Sequence, residues 1–150
     1  KRAKMHAYFK ETLHAQVAGL RVLDTDPRVT RLHCYQTIMR YDPQAFAGVH
    51  RDRVLEALAA EGVHFHGDFY EPLYKIEIMN AKSSRWPMLR ERYGEGILGH
   101  ADLCCPVTEK AAYHESVWMH YPYLSGTQKD VDDVVAAIVK VQKNAADLRK

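Results

Sequence analysis

The chain has 150 residues, 47% of them hydrophobic, and its 21 basic and 19 acidic side chains leave a formal net charge of +2. This is the size and composition of one domain with a real core, and it excludes a disordered or collagen-like polypeptide. The near balance of charge argues against a nucleic-acid binder, because the one dense basic run, Lys1, Arg2 and Lys4, is what a solvated helix end also carries.

In chain order, Met5, Phe9, Leu13 and Val17 recur at helical spacing and predict a helix over 5–17, stopped by Gly19. No capping residue precedes Lys1, so residues 1–18 are expected to continue an interdomain helix. Leu20 to Leu23 reads as a short strand. Leu32 to Tyr41 reads as a central strand, with Leu32, Cys34, Gln36, Ile38 and Arg40 on one face and His33, Tyr35, Thr37, Met39 and Tyr41 on the other. Asp42-Pro43 ends it.

The next helix spans His50 to Glu61, with Val54, Leu55, Leu58 and Ala59 as its apolar stripe, Asp52 in its first turn and Gly62 as its stop. Val63 to His66 is an expected edge strand leading into the loop Gly67 to Tyr74, where aromatic, acidic and imidazole groups gather. Residues 80–99 read as a linker with a short helical piece from Ser84 toward Tyr93. Gly94, Gly96 and Gly99 lack the spacing and context of a phosphate loop. A helix opens at Cys105-Pro106 and runs to about His114, a strand covers Glu115 to Tyr121, and Thr127 with Asp130 resembles the capping box of a last helix. The stripe of that helix is Val131, Val134, Val135, Ile138, Val141, Ala145 and Leu148.

This order predicts an α+β fold: a two-layer small domain, 1–150, with a mostly antiparallel sheet covered by helices. Cys34, Cys104 and Cys105 form an odd count without C-x-x-C spacing, which fits a reducing, cytoplasmic compartment, with Cys34 as a core thiol. No apolar run reaches the roughly 18 residues of a membrane span, and no signal-peptide core opens the chain, so no membrane is expected.

Nine histidines raise the question of metal. His64, His66 and Asp68 could supply two nitrogens and an oxygen, but a half-exposed strand running into a loop carries the same residues without a metal, and none is assigned. His114 and His120 could serve acid–base chemistry, yet no nucleophile is placed beside them. Asp68 and Glu71 are too close in one loop to act as a glycosidase pair. Tyr70, Pro72 and Tyr74, like Tyr121 and Tyr123, fit either stacking on a polyol or burial in a protein interface, while Trp118 reads as core.

Several segments carry a wider resemblance. Gly19-Leu20-Arg21-Val22-Leu23, Tyr35-Gln36-Thr37-Ile38-Met39-Arg40-Tyr41, the run from Arg51 to Gly62, Tyr70-Glu71-Pro72-Leu73-Tyr74, Cys105-Pro106-Val107-Thr108-Glu109 and the run from Ser125 to Asp133 together resemble the C-terminal small domain of sugar and cyclitol aminotransferases. These are fold type I enzymes dependent on pyridoxal phosphate, and the likeness is nearest to those acting on keto-sugars or keto-inositols in antibiotic pathways.

The resemblance implies amino transfer from glutamine or glutamate to a ketone. It implies a large domain or subunit, absent from this sequence, that bears the cofactor-binding lysine, and an assembly that is a homo- or hetero-oligomer. No lysine here, Lys75 and Lys82 included, inherits that role, so the chain is expected neither to hold the cofactor nor to be catalytic alone. His66, Tyr70, Tyr74, His120 and Tyr121 are the implied cleft-lining residues. The rival reading is a non-catalytic accessory or interaction protein derived from such a domain.

Overall fold

A computed structural model describes residues 1–67, 71–76, 87–88, 91–92 and 103–149. It divides into two units, Lys1–Gly67 with His114–Lys150, and Asp68–Tyr113. Of the helical piece expected from Ser84 toward Tyr93, Pro87, Met88, Glu91 and Arg92 are helical, and its other residues, like Asp68, Tyr70 and Lys82, lie outside the described residues.

In the first unit, α1 (Arg2–Gln16) buries Met5, Phe9 and Leu13, as their spacing predicts, and also His6. The helix ends at Gln16, and Val17 caps it in an extended conformation with its N–H on the carbonyl of Leu13 at 2.8 Å. Gly19 follows at a φ of +71°, where a side chain would be strained and its Cβ would collide with Ala45. Glycine therefore allows both the turn and the close approach of the 3₁₀ turn Pro43–Phe46. Beyond it runs β1 (Leu20–Val22), tied back to α1 where the Val22 N–H donates to His14 Nε2 at 3.0 Å. Burial, then the charges of Arg21 and Lys10, lowers the His14 pKa, which favours the neutral ring this acceptor role needs.

The central strand is shorter than its alternation predicts. β2 covers Gln36–Tyr41, and the residues from Leu32 to Tyr35 lie outside it. The reason is local: Cys34 has a φ of +54°, which no regular strand contains. Cys34 is buried, as a core thiol should be, but it is a turn residue with its Sγ 3.6 Å from the Leu32 carbonyl. Tyr35, which alternation groups with Thr37, Met39 and Tyr41, is 56% exposed.

A histidine caps α2 (Arg51–Ala60): His50 Nδ1 accepts the Asp52 N–H at 3.3 Å. Its core face is Arg51, Val54 and Leu58. Val63 to His66 forms no full strand. Its pairing is an isolated antiparallel bridge between His66 and Trp118, with backbone hydrogen bonds of 3.0 and 2.7 Å.

The helix expected from Cys105 to His114 is only α3 (Pro106–Lys110), after which Ala111–Glu115 widens into a π turn that leads into β3 (Ser116–His120). The sheet has the order β1-β2-β3, antiparallel throughout, with Gln36 opposite His120, Ile38 opposite Trp118 and Arg40 opposite Ser116. After the 3₁₀ turn Tyr121–Leu124, Thr127 and Asp130 close the capping box of α4 (Gln128–Lys143). Thr127 N–H donates to Asp130 Oδ2 at 2.6 Å, and Asp130 N–H to Thr127 Oγ1 at 3.4 Å. Val131, Val134, Val135, Ile138 and Val141 are buried, and the 3₁₀ turn Ala145–Arg149 follows.

One face of the sheet, with Met39, Tyr41, Val117 and Met119, joins α1, α2 and α4 in a single apolar core. This is the two-layer α+β arrangement the element order predicts.

Candidate functional site

Because side chains alternate along a strand, burying Thr37, Met39, Tyr41, Val117 and Met119 turns Gln36, Ile38, Arg40, Ser116, Trp118 and His120 to the other face of the sheet. Directly paired residues share a face, so the bridge to Trp118 also places His66 there. Trp118, expected in the core, is half-buried on this second face, because the odd-numbered residues of β3 took the core side.

Three of the predicted cleft residues gather on or beside this face. The rings of His66 and His120 meet edge to face at a centroid distance of 5.4 Å. Tyr35 stands edge-on to His120 at 6.3 Å and stacks on Tyr121 at 6.1 Å with an interplanar angle of 28°. The Tyr121 N–H donates to the Tyr35 carbonyl at 3.2 Å, which extends the pairing one step past Gln36 and His120. Arg2 holds its guanidinium carbon 5.1 Å from the Tyr121 ring centroid. Gln36 Nε2 lies 3.2 Å from His120 Nδ1 and 3.4 Å from Nε2.

Tyr35 and Gln36 are the members that sequence reasoning missed. Gln36 was placed on the face of Ile38 and Arg40 but had no partner until the register paired it with His120. Tyr35 carried no usable signal, because it lies just before β2 and is exposed there.

Tyr74 sits in the second unit, in the 3₁₀ turn Leu73–Lys75. Its hydroxyl makes a short hydrogen bond to Glu109 Oε1 and accepts the Cys105 N–H at 3.4 Å. Lys75 Nζ lies 3.3 Å from Glu109 Oε1 and 5.2 Å from the Tyr113 ring centroid. Hydrogen bonds from Tyr74 and then Lys75 hold the Glu109 carboxyl below its usual range. Desolvation pulls the Lys75 pKa down, but Glu109 outweighs it and the ammonium ends above its usual value. Tyr74 is thus part of a polar knot within its own unit, while Tyr70 lies outside the described residues.

A second imidazole pair stands apart from the first: His50 Nε2 and His114 Nδ1 are 2.9 Å from each other. Among the described residues no group of three or more His, Cys, Asp or Glu side chains is placed to hold a metal ion. No described helix is long and apolar enough to cross a membrane.

No family model matches this sequence. A protein of Streptoalloteichus tenebrarius provisionally named L-glutamine:3-amino-2,3-dideoxy-scyllo-inosose aminotransferase is 45% identical over 97% of this chain and 37% of its own length. A protein of Micromonospora echinospora with the same provisional name is 44% identical over 90% of this chain and 32% of its own length. This chain is homologous to part of the sugar and cyclitol aminotransferase family. An L-glutamine:2-deoxy-scyllo-inosose aminotransferase of S. tenebrarius is 30% identical over 97% of the aminotransferase-like chain and 34% of its own length. The chain therefore spans about a third of the length of the curated relatives it matches. Its fold is that of part of 3-amino-5-hydroxybenzoic acid synthase, with a TM-score of 0.65 at 15% identity over 95% of this chain and 34% of that one.

Proposed function

We propose that this chain is the C-terminal small domain of an aminotransferase that moves an amino group from glutamine or glutamate to a keto-sugar or keto-cyclitol. The observation that carries this reading is the 45% identity extending over 97% of the chain to a protein named for glutamine-dependent amination of an inosose. The match to about a third of each relative supports a further, larger part, in the same polypeptide or in a partner subunit, that bears the cofactor-binding lysine.

In this reading pyridoxal phosphate belongs to that larger part. Lys75 does not suit it: a lysine that takes up the cofactor needs a neutral nitrogen, and Glu109 favours the Lys75 ammonium. The task left to this chain is to line the cleft. His66, His120 and Tyr121 offer hydrogen-bonding groups and ring faces that orient a polyhydroxylated ketone and exclude water from it. Tyr74 remains a substrate-facing candidate within its own unit, with its hydroxyl already engaged by Glu109.

The test is to supply this chain with the lysine-bearing part and follow conversion of 2-deoxy-scyllo-inosose to its amine with glutamine as donor. Turnover is expected only when both parts are present. Turnover by this chain alone, with the cofactor on one of its own lysines, overturns the reading. Absence of turnover with the native large part present points instead to an accessory protein.

A further inference from the structure

Three features gather at the end of the sheet where Gln36 pairs with His120. Tyr35 is 56% and Tyr121 39% exposed, yet their rings are stacked on each other and fixed by the backbone bond between the same two residues. Gln36 Oε1 is buried without a hydrogen-bond partner among the described residues, a deficit that costs about 1–3 kcal/mol unless a donor arrives. The Gln36 amide nitrogen can only donate, so the His120 nitrogen it meets must be an acceptor. Nδ1 is the nearer of the two ring nitrogens, so the Gln36 amide bears on the tautomer of this ring.

These features describe a ligand. Aromatic faces with a negative quadrupole attract the C–H faces of a saturated ring. An imidazole, an amide with an unsatisfied acceptor and two phenols offer hydrogen-bonding partners for hydroxyl groups beside these aromatic faces. A saturated six-membered polyol has both parts: apolar axial C–H faces and a rim of hydroxyls.

We propose that Tyr35 is a specificity-determining residue that, with Tyr121, stacks on the ring of a saturated cyclic polyol, and that Gln36 is a positioning residue that sets the tautomer of His120 at the ring's edge. This rests on the reading of the chain as part of a cyclitol aminotransferase and adds Tyr35 and Gln36 to its cleft. Arg2, 5.1 Å from the far Tyr121 ring, stiffens the platform from outside the ligand position.

Two measurements test this separately from the aminotransferase reading. In the complete enzyme, Tyr35→Ala raises KM for the keto-cyclitol about tenfold, the loss of one stacking contact, with kcat and the KM for glutamine unchanged. Tyr35→Phe restores the wild-type KM. In the isolated full chain, scyllo-inositol shifts the ring resonances of Tyr35, Tyr121 and His120, and Tyr35→Ala abolishes the shifts while the amide spectrum remains folded. Gln36→Leu changes the His120 ring ¹⁵N shifts toward a mixture of tautomers. An unchanged KM in Tyr35→Ala enzyme that turns over overturns the inference and leaves the aminotransferase reading standing. If the wild-type enzyme does not aminate the ketone, that reading falls, and the scyllo-inositol titration alone decides: shifts at the three rings support the polyol platform, and no shifts overturn it.

Discussion

The buried guanidinium of Arg51 donates from Nη1 to the carbonyl oxygen of Ser116 at 3.2 Å, joining the first residue of α2 to the first residue of β3. Arg51 is 2% exposed, and its Nε reaches Asp52 Oδ1 at 2.8 Å. The same guanidinium lies where a Cβ on Gly67 would stand, so the glycine and the arginine fit each other. Ser116 Oγ donates to the Gly67 carbonyl at 3.2 Å, and the three residues form one junction at the root of the segment that leaves the first unit.

Arg51→Ala removes a buried side chain and leaves the Ser116 carbonyl short of a donor. The expected loss is about 2–5 kcal/mol of unfolding free energy, read from urea denaturation of the full chain. Arg51→Lys recovers only a part, because an ammonium cannot present two donors in the fixed fork that spans Asp52 and Ser116. A loss under about 0.5 kcal/mol, the size of an ordinary surface substitution, counts against the junction.

Leu58 tests the helical layer. It is 1% exposed on α2 and belongs to the core that joins this helix to the sheet and α4. Leu58→Ala is expected to cost about 2–5 kcal/mol by the same denaturation measurement. A change near zero places that face in solvent.

Tyr41 gives the fold an alkaline limit. Burial, with the charge of Asp42 adding, pushes its phenol from 10.0 up to about 12, and the hydroxyl donates to the Val49 carbonyl at 2.7 Å. A group whose pKa is raised by folding stabilises the fold fully below its unfolded value, and that stability is lost as pH rises through the folded one. The urea midpoint is therefore expected to fall from pH 10 toward pH 12. Tyr41→Phe flattens the part of that slope due to this phenol, while costing about 1 kcal/mol at neutral pH for the lost hydrogen bond.

What could be read from the sequence follows from which signals are local. The capping box at Thr127 and Asp130, the stripe of α4 and the cap of α2 at His50 each depend on residues within a turn or two, and each is present. The limits of β2 were not legible, because alternation continues through Leu32 to Tyr35 while the backbone does not. Cys34 takes a left-handed φ just before Gln36, and nothing in the alternation marks it. His66 and His120 could be named as candidates but not joined: their meeting depends on one backbone bridge to Trp118, and register across 52 residues of sequence is not written in either segment. The face of Trp118 was misjudged for a simpler reason. Large aromatic residues usually go to the core, but here Val117 and Met119 filled it and pleating sent their neighbour outward.

Tyr74 was expected to spend its hydroxyl on substrate, and its hydrogen bond to Glu109 gives a more direct test. That bond, with Lys75 second, holds the Glu109 carboxyl below its usual range, so the ionised form is the one the second unit favours. For a carboxyl depressed by folding, the contribution is present above the unfolded pKa and disappears as pH falls through the folded one. Tyr74→Phe removes the larger of the two causes and leaves Lys75 in place. The Glu109 side-chain ¹³C titration in the full chain is then expected to move up toward the ordinary carboxylate midpoint, so the knot loosens at a less acid pH than in the wild type. Glu109→Gln removes the titration and leaves Lys75 without its anion, which returns the Lys75 pKa toward its usual value. If the Glu109 midpoint in Tyr74→Phe matches the wild type, the hydroxyl does not hold this carboxylate in solution and is free for a ligand.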